Sequence, residues 1–405
     1  AITVSKNLLG SPLLCLCFYS SGSCFAAAFE RSGQTIQPFF ERGNYAEISL
    51  AYIDPDVSGQ VQRVETLQQF GITDFSTGNL SNEQVMLGAA LKLQLNPQFK
   101  FAVIYDQPFA VDIDYRYRPK IYGESYEVES ADIDFESHNL SSLLGYQFNP
   151  QWEVYGGLSY QSFAGSLKAK GQTYSVFDGY DAEFKQDESL GWLAGISYQV
   201  PEYYFRTSLT YRSAIKHEMT TTESIEVGVV TPNVMEVKTP QSVNFDFMTG
   251  LPYQNILYGT LRWVNWQDFV IQPPKFKAVI DYVAIFYPEA KDVKLIQYNE
   301  DQWSAKLGLA HVWNKKWLST MELLWDSGIN NPASTLNPSD GYQGIGLGSM
   351  YTYNTEFDIA AGLYYLRFKK SKTSSDSNPL ANITGLSALN DNDAWIFGLK
   401  LAHHF

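Results

Sequence analysis

The stretch Ala394–Phe405 constrains the fold more than any other part of the chain. Read with a period of two, Trp395, Phe397, Leu399, Leu401 and Phe405 share one face, with His403 the polar member. Ala394, Gly398, Lys400, Ala402 and His404 share the other, with Ile396 the exception. A strand of about ten residues, apolar on one side and polar or small on the other, is the unit of a transmembrane β-barrel. In hydrocarbon an unpaired strand edge leaves backbone N–H and C=O groups without partners. The expected partner is therefore the first strand, and the expected product is a closed barrel. The competing reading, an edge strand of a soluble sandwich, is disfavoured because the same signature recurs along the chain.

Composition agrees. The chain of 405 residues is 15% aromatic, with 27 Tyr, yet its mean hydropathy is only −0.21. No run of about 20 apolar residues supplies a membrane-spanning helix. A net charge of −14 with few basic clusters argues against nucleic acid as a partner. The alternation predicts fourteen strands, from Tyr45–Tyr52 to Ala394–Phe405, an even number as single-chain bacterial barrels usually have. Tight turns such as Asn96-Pro97-Gln98, Asn149-Pro150-Gln151 and Asn314-Lys315-Lys316 alternate with long polar segments. The long segments include Lys168–Ser189, Thr220–Glu236 and Val270–Asp301. Short turns on one side and long loops on the other are the outer-membrane arrangement.

Residues 44–405 therefore read as the all-β barrel, and residues 29–43 as a short N-terminal plug segment. Residues 1–28 read as a signal peptide: Lys6 is followed by the apolar Leu8–Tyr19, and cleavage is expected near Ala26–Ala28. That removes Cys15, Cys17 and Cys24, the three cysteines of the chain. A lipoprotein anchored through Cys24 is the alternative.

Ionisable residues gather on the inward face. Glu153, Arg206, Arg212, Arg262, Lys306 and Glu322 form the expected lumen ionic network, with Lys400, Asp326 and Asp358 as further partners. In the third strand, Asp106, Gln107, Pro108 and Phe109 interrupt the alternation, because proline cannot donate a ladder hydrogen bond. The functional reading is a kink that opens the wall; the plain reading is a strand end. Two long segments are unusually apolar, Glu226–Val237 (Val227, Val229, Val230, Met235) and Ala278–Tyr287 (with Phe286). Exposed apolar surface marks a binding site, or the two segments cap one another. Lys168, Lys170, Lys275 and Lys277 flank them and are candidates to meet a carboxylate head group. No nucleophile elbow or zinc motif occurs, so no catalytic residue, metal or cofactor is expected.

Several stretches resemble the FadL / toluene-transport family of outer-membrane channels for hydrophobic compounds. They are AYIDPDVSG (Ala51–Gly59), DQPFAVDIDY (Asp106–Tyr115), LTYRSAIKHEM (Leu209–Met219), RWVNWQDF (Arg262–Phe269) and AWIFGLKLAHHF (Ala394–Phe405). The resemblance implies a fourteen-stranded antiparallel barrel with an N-terminal plug in a Gram-negative outer membrane. It implies passive uptake of hydrophobic compounds, with long-chain fatty acids expected and aromatic hydrocarbons the other class. The route would run from a groove near Tyr174–Phe184 and Val227–Met235, through an inner pocket, to a lateral opening at Asp106–Phe109. The plug is shorter than in the best-known members, and no Asn-Pro-Ala motif occurs. Outer-membrane lipid is the expected surround and a monomer the expected state. A general porin for polar solutes is the leading alternative, told apart by large conductance.

Overall fold

The computed structural model describes residues 31–61, 69, 78–79, 81–118, 120–121, 123–125, 129–171, 176–225, 231–298, 300–328, 341–369, 387–389 and 392–405. The expected signal peptide, residues 1–28, lies outside them. Fourteen staves form one antiparallel sheet. In chain order they are β1 (Tyr45–Asp56), β2 (Gln84–Gln94), β3 (Phe99–Asp106 and Ala110–Tyr117), β4 (Glu129–Gln147) and β5 (Trp152–Lys170). Then follow β6 (Tyr180–Val200), β7 (Phe205–Arg212 and Ile215–Ser224), β8 (Thr231–Thr239 and Ser242–Leu251) and β9 (Asn255–Val264). The last five are β10 (Gln302–Val312), β11 (Trp317–Asp326), β12 (Tyr342–Thr352), β13 (Phe357–Phe368) and β14 (Asp393–His404). The terminal strand pairs with the first, Tyr45 opposite His404 and Asp56 opposite Asp393, so the sheet closes on itself.

Closure leaves the outer face to meet lipid, and the side chains sort accordingly. On β11 the exposed residues are Trp317, Met321, Leu323 and Trp325, while Leu318, Thr320, Glu322, Leu324 and Asp326 are buried. Trp317 and Trp325 belong to two aromatic belts. The lower belt also holds Trp152 against Tyr198 and Tyr351 against Trp317; the upper holds Tyr365 against Trp395. Eight residues separate the two tryptophans on β11, roughly 26 Å along a strand and about 20 Å of height once tilt is allowed for. That matches the short apolar band of an outer-membrane barrel.

Above the upper belt the pattern reverses. In the lower part of β5, Trp152, Val154, Leu158 and Tyr160 face out, and Glu153, Ser159 and Gln161 face in. Further up, Lys168 and Lys170 face out, while Phe163, Leu167 and Ala169 are buried. On β4, Leu140 and Leu144 face lipid, but Asp134 and Glu136 higher up are exposed and Ile133 and Phe135 buried. Period two persists while the faces exchange character, because the outer surface there meets water and the inner surface a packed core.

This reversal corrects two expectations. The segments Lys168–Ser189 and Thr220–Glu236 are largely strand: β6 begins at Tyr180, β7 runs to Ser224 and β8 begins at Thr231. They read as loops because their outward residues are polar. The wall is therefore taller at β4–β8 than at β9–β12. A third correction concerns Ala278–Tyr287, which up to Phe286 lies on the helix α1 (Pro274–Phe286) rather than in irregular loop, with Tyr287 capping its end. Its neighbour Phe269 falls beyond β9, which ends at Val264.

Met321 sits midway between the two belts on the lipid face. Met321→Arg should lower folding stability by about 2–4 kcal/mol, measured by reversible denaturant unfolding of the barrel in lipid vesicles. An unchanged midpoint would place this face elsewhere than in hydrocarbon.

Candidate functional site

Residues 31–41 run among the inward-facing side chains of the lower barrel. Gln37–Phe40 forms a 3-10 turn and buries Phe39 and Phe40 against Tyr155, with ring centroids at 5.2 and 5.8 Å. Lys100 Nζ stands 4.1 Å above the Phe39 ring, and the Arg206 guanidinium 4.7 Å above Phe40. These are cation–π contacts in a desolvated setting. Arg206 also donates to Gln37 Oε1 at 3.2 Å. Arg262 donates to Gln34 Oε1 at 2.9 Å and Asn244 Oδ1 at 2.7 Å, and Asn244 donates to the Gly33 carbonyl at 2.9 Å.

The expected ionic network is thus inward and buried but differently connected. Glu153 pairs with Lys100 at 2.9 Å, not with an arginine. Lys306 faces Glu322 at 3.8 Å, Lys400 faces Glu47 at 3.6 Å, and Asp358 meets His404 at 3.2 Å. Arg212 donates to Ser141 at 2.9 Å. Arginine side chains reach across the lumen, where the carbonyls and amide oxygens of residues 33–40 offer acceptors. The buried Asp106 carboxylate lies near enough to Arg212 and Arg262, and Asp246 to Arg206, to offset their charge without a direct ion pair.

The third stave is broken where the sequence placed its kink. β3 pairs with β2 only from Lys100 to Tyr105. Higher up, β2 stays paired with β1 to Gln84, and β3 resumes at Ala110 against β4; on its other side it meets the residues just before β2, through a Ser81–Ile113 bridge and the Asn82 N–H donated to the Asp112 carbonyl at 3.2 Å. Three residues of β3, from Gln107 to Phe109, oppose two of β4, so one residue is extra. Had the β2–β3 ladder continued, Leu87 would face Gln107. Instead the Gln107 side-chain oxygen accepts the Leu87 N–H at 3.0 Å, standing in for a backbone bond. The N-terminal segment fastens both edges. Arg31 N–H donates to the Pro108 carbonyl at 2.7 Å, Arg31 Nε to Gln84 at 3.2 Å, and the Ser32 hydroxyl to Asp106 at 2.5 Å.

Behind the break is a cavity of about 90 Å³, lined by Pro38, Met86, Ile104, Asp106 and Gln107 among others. A dry cavity of about 150 Å³ holds benzene. This one is smaller.

The upper barrel holds a continuous apolar core built from the inner faces of the tall staves and from α1. Phe276 and Ile280 seat α1 in that core, and Phe276 stacks on Phe177 at 4.4 Å. The fully buried Glu223 carboxylate accepts the N–H groups of Lys275 and Phe276 at 2.8 and 3.0 Å and the Tyr180 hydroxyl at 2.6 Å. A carboxylate at a helix N-terminus satisfies donors that the helix leaves open. The far end of α1 is different: Tyr282, Ile285, Phe286 and Tyr287 are exposed to solvent.

The other sequence candidates disperse. Lys168 and Lys170 point outward on the tall wall, Lys168 lying 3.9 Å from Asp181. Lys277 is paired with Asp281 at 2.7 Å, and that hydrogen bond and charge raise its pKa. The Lys275 backbone N–H is bound by the core carboxylate of Glu223. Met235 is buried opposite Met219, and Phe286 is exposed on α1. Val227, Val229 and Val230 lie outside the described residues. Sequence reasoning missed Lys100, Glu223 and Trp266. For Glu223 a signal existed: it continues the inward parity of His217, Met219 and Thr221.

A closed wall with two aromatic belts and an apolar upper core defines a transmembrane β-barrel of the outer-membrane type. A family model described as outer membrane protein transport protein (OMPP1/FadL/TodX) matches residues 38–405. The chain belongs to this family, whose members carry hydrophobic compounds across the outer membrane. No curated protein sequence matches it. Among solved structures it is similar to a Pseudomonas aeruginosa FadL homologue, at 13% identity and TM-score 0.64 over 91% of this chain and 92% of that one. It is similar to the Ralstonia pickettii toluene transporter TbuX, at 12% identity and TM-score 0.59 over 94% and 95% of the two chains. The Pseudomonas putida toluene transporter TodX gives 11% identity and TM-score 0.59 over 96% and 95%.

Glu223→Ala leaves two buried N–H groups and a buried hydroxyl without their acceptor. Each costs about 1–3 kcal/mol, enough to unseat α1. Limited proteolysis of the folded barrel should then cut within residues 274–298 of the variant at protease levels that spare the wild type.

Proposed function

We propose that this barrel takes up hydrophobic small molecules by passive diffusion and releases them sideways through the break in β3. The observation that carries the reading is the lost pairing between β2 and β3 in front of a cavity that residues 31–41 fasten shut. A molecule captured at the exposed aromatic end of α1 would pass through the apolar upper core. It would reach the cavity when the N-terminal segment shifts, and leave between Leu87 and Gln107. Residues 31–41 act as the plug: their packing against Tyr155, Lys100 and Arg206 closes the lower lumen, so polar solutes do not pass to the periplasm.

Long-chain fatty acids are the first substrate on this reading. A second class, single-ring aromatic hydrocarbons, is favoured by a specific observation. The upper core is lined with rings, and its buried α1 terminus is already filled by the Glu223 carboxylate, which repels a second anion. Uptake of labelled oleate and of toluene by cells whose own channels are deleted separates the two. Uptake of neither, relative to cells carrying empty vector, would sink the proposal.

Two variants test the route. A cysteine pair at Leu87 and Gln107 should abolish uptake when oxidised and restore it on reduction. Deleting residues 31–41 should convert a nearly silent barrel in a planar bilayer into one with steady ion current. A wild type that already conducts strongly would favour a polar-solute porin.

A further inference from the structure

Six buried rings form a row through the upper core: Phe184, Phe135, Phe163, Phe269, Trp266 and Phe109. Successive centroids lie 5.5, 5.7, 6.4, 5.2 and 5.5 Å apart. The row ends on Phe109, the residue after Pro108, at the break in β3. We propose that the last pair, Trp266 and Phe109, sets the size limit for molecules moving from the upper core to that break. The proposal rests on the reading that the break is the way out.

Three features single out this pair. First, both rings are essentially inaccessible to solvent, and they meet edge to face at 78°, so no gap is left between them. Second, the Phe109 backbone and the Trp266 indole are each held by a polar link, from different regions of the wall. The Ser137 hydroxyl on β4 exchanges hydrogen bonds with the N–H and the carbonyl of Phe109, both at 2.9 Å. The Trp266 indole N–H donates to Gln302 on β10 at 2.6 Å, and Gln302 donates to Asp326 on β11 at 2.5 Å. Any buried indole N–H needs an acceptor; here the acceptor is itself fixed to the next strand, so the indole is tied to two strands of the wall. Third, Trp266 lies in a 3-10 turn just beyond β9 and Phe109 just beyond a proline, so neither sits within a regular ladder.

The chemistry follows from the geometry. To pass, a molecule must part a ring edge from a ring face, the indole being held through Gln302 and Phe109 through its backbone. A methylene chain or a single ring needs a small rotation of Phe109, while a fused tricyclic needs the indole to leave Gln302. That break costs a buried hydrogen bond on both partners. Trp266 is thus a specificity-determining residue, and Gln302 a positioning residue acting through it.

The test is a ratio of initial uptake rates, phenanthrene over toluene, in channel-deleted cells expressing wild type, Trp266→Ala, Trp266→Phe or Gln302→Leu. Barrel amount is fixed by the heat-dependent gel shift of folded protein. Trp266→Ala should raise the ratio about tenfold, the scale of steric discrimination in an apolar site. Gln302→Leu, which keeps the ring and removes its tether, should raise it less but in the same direction. Core damage alone would lower both rates or the folded amount and leave the ratio where it was. If Trp266→Ala does not fold, Trp266→Phe and Phe109→Ala carry the same prediction. A wild type that moves toluene, with folded variants whose ratio is unchanged, overturns the size limit alone. A wild type that moves neither probe overturns the uptake reading and the size limit with it.

Discussion

A peptide group in hydrocarbon must find its hydrogen-bond partner within the protein, and the rest of this structure depends on that constraint. It forces β14 back onto β1 and allows no stave to stop short within the lipid band. Three staves are interrupted, and the constraint separates them. β7 and β8 break side by side, yet their lower halves pair together and so do their upper halves. Ser213 and Trp192 also exchange hydrogen bonds across to β6. The break in β3 lacks that repair on its β2 side. Between the end of the lower ladder and the Ser81–Ile113 bridge, the partners seen among the described residues are a glutamine side chain and the N-terminal segment. At this break, side chains replace several successive rungs of backbone, and side chains can move.

The lipid band was legible in the sequence because hydrocarbon imposes one rule on every strand it touches. All fourteen staves show it, and Trp152, Leu158, Trp317 and Trp395 are where alternation places them. Above the band the rule reverses, so Phe184, Met219 and Met235 look like greasy loop residues rather than the inner face of a continuing strand. The interior was less legible for another reason. Lys100 and Glu153 lie on β3 and β5, and nothing local to either says that they meet at 2.9 Å. Trp266, Gln302 and Asp326 are likewise joined only by closure of the barrel. Periodicity tells which way a side chain points, not which side chain it finds.

Charge is sorted by height as well as by face. The buried cations Lys100, Arg206, Arg262 and Lys306 belong to the lower lumen, where they meet rings, amides and carboxylates. The upper core holds the Glu223 carboxylate, set against the start of α1. An anion travelling down the proposed route would meet like charge at Glu223 and again at Asp106, which lines the cavity at the break. An uncharged molecule would meet neither as an obstacle.

The depth of the break has a consequence of its own. Residues 107–109 lie opposite Ser137 and His138 on β4, between lipid-facing Leu140 and water-facing Glu136. This is the boundary between acyl chains and headgroups of the outer leaflet. On the proposed route the barrel therefore works as a phase-transfer catalyst. It speeds exchange between water and one leaflet but cannot alter the partition coefficient that relates them. Accumulation beyond that equilibrium has to come from whatever removes the compound further in.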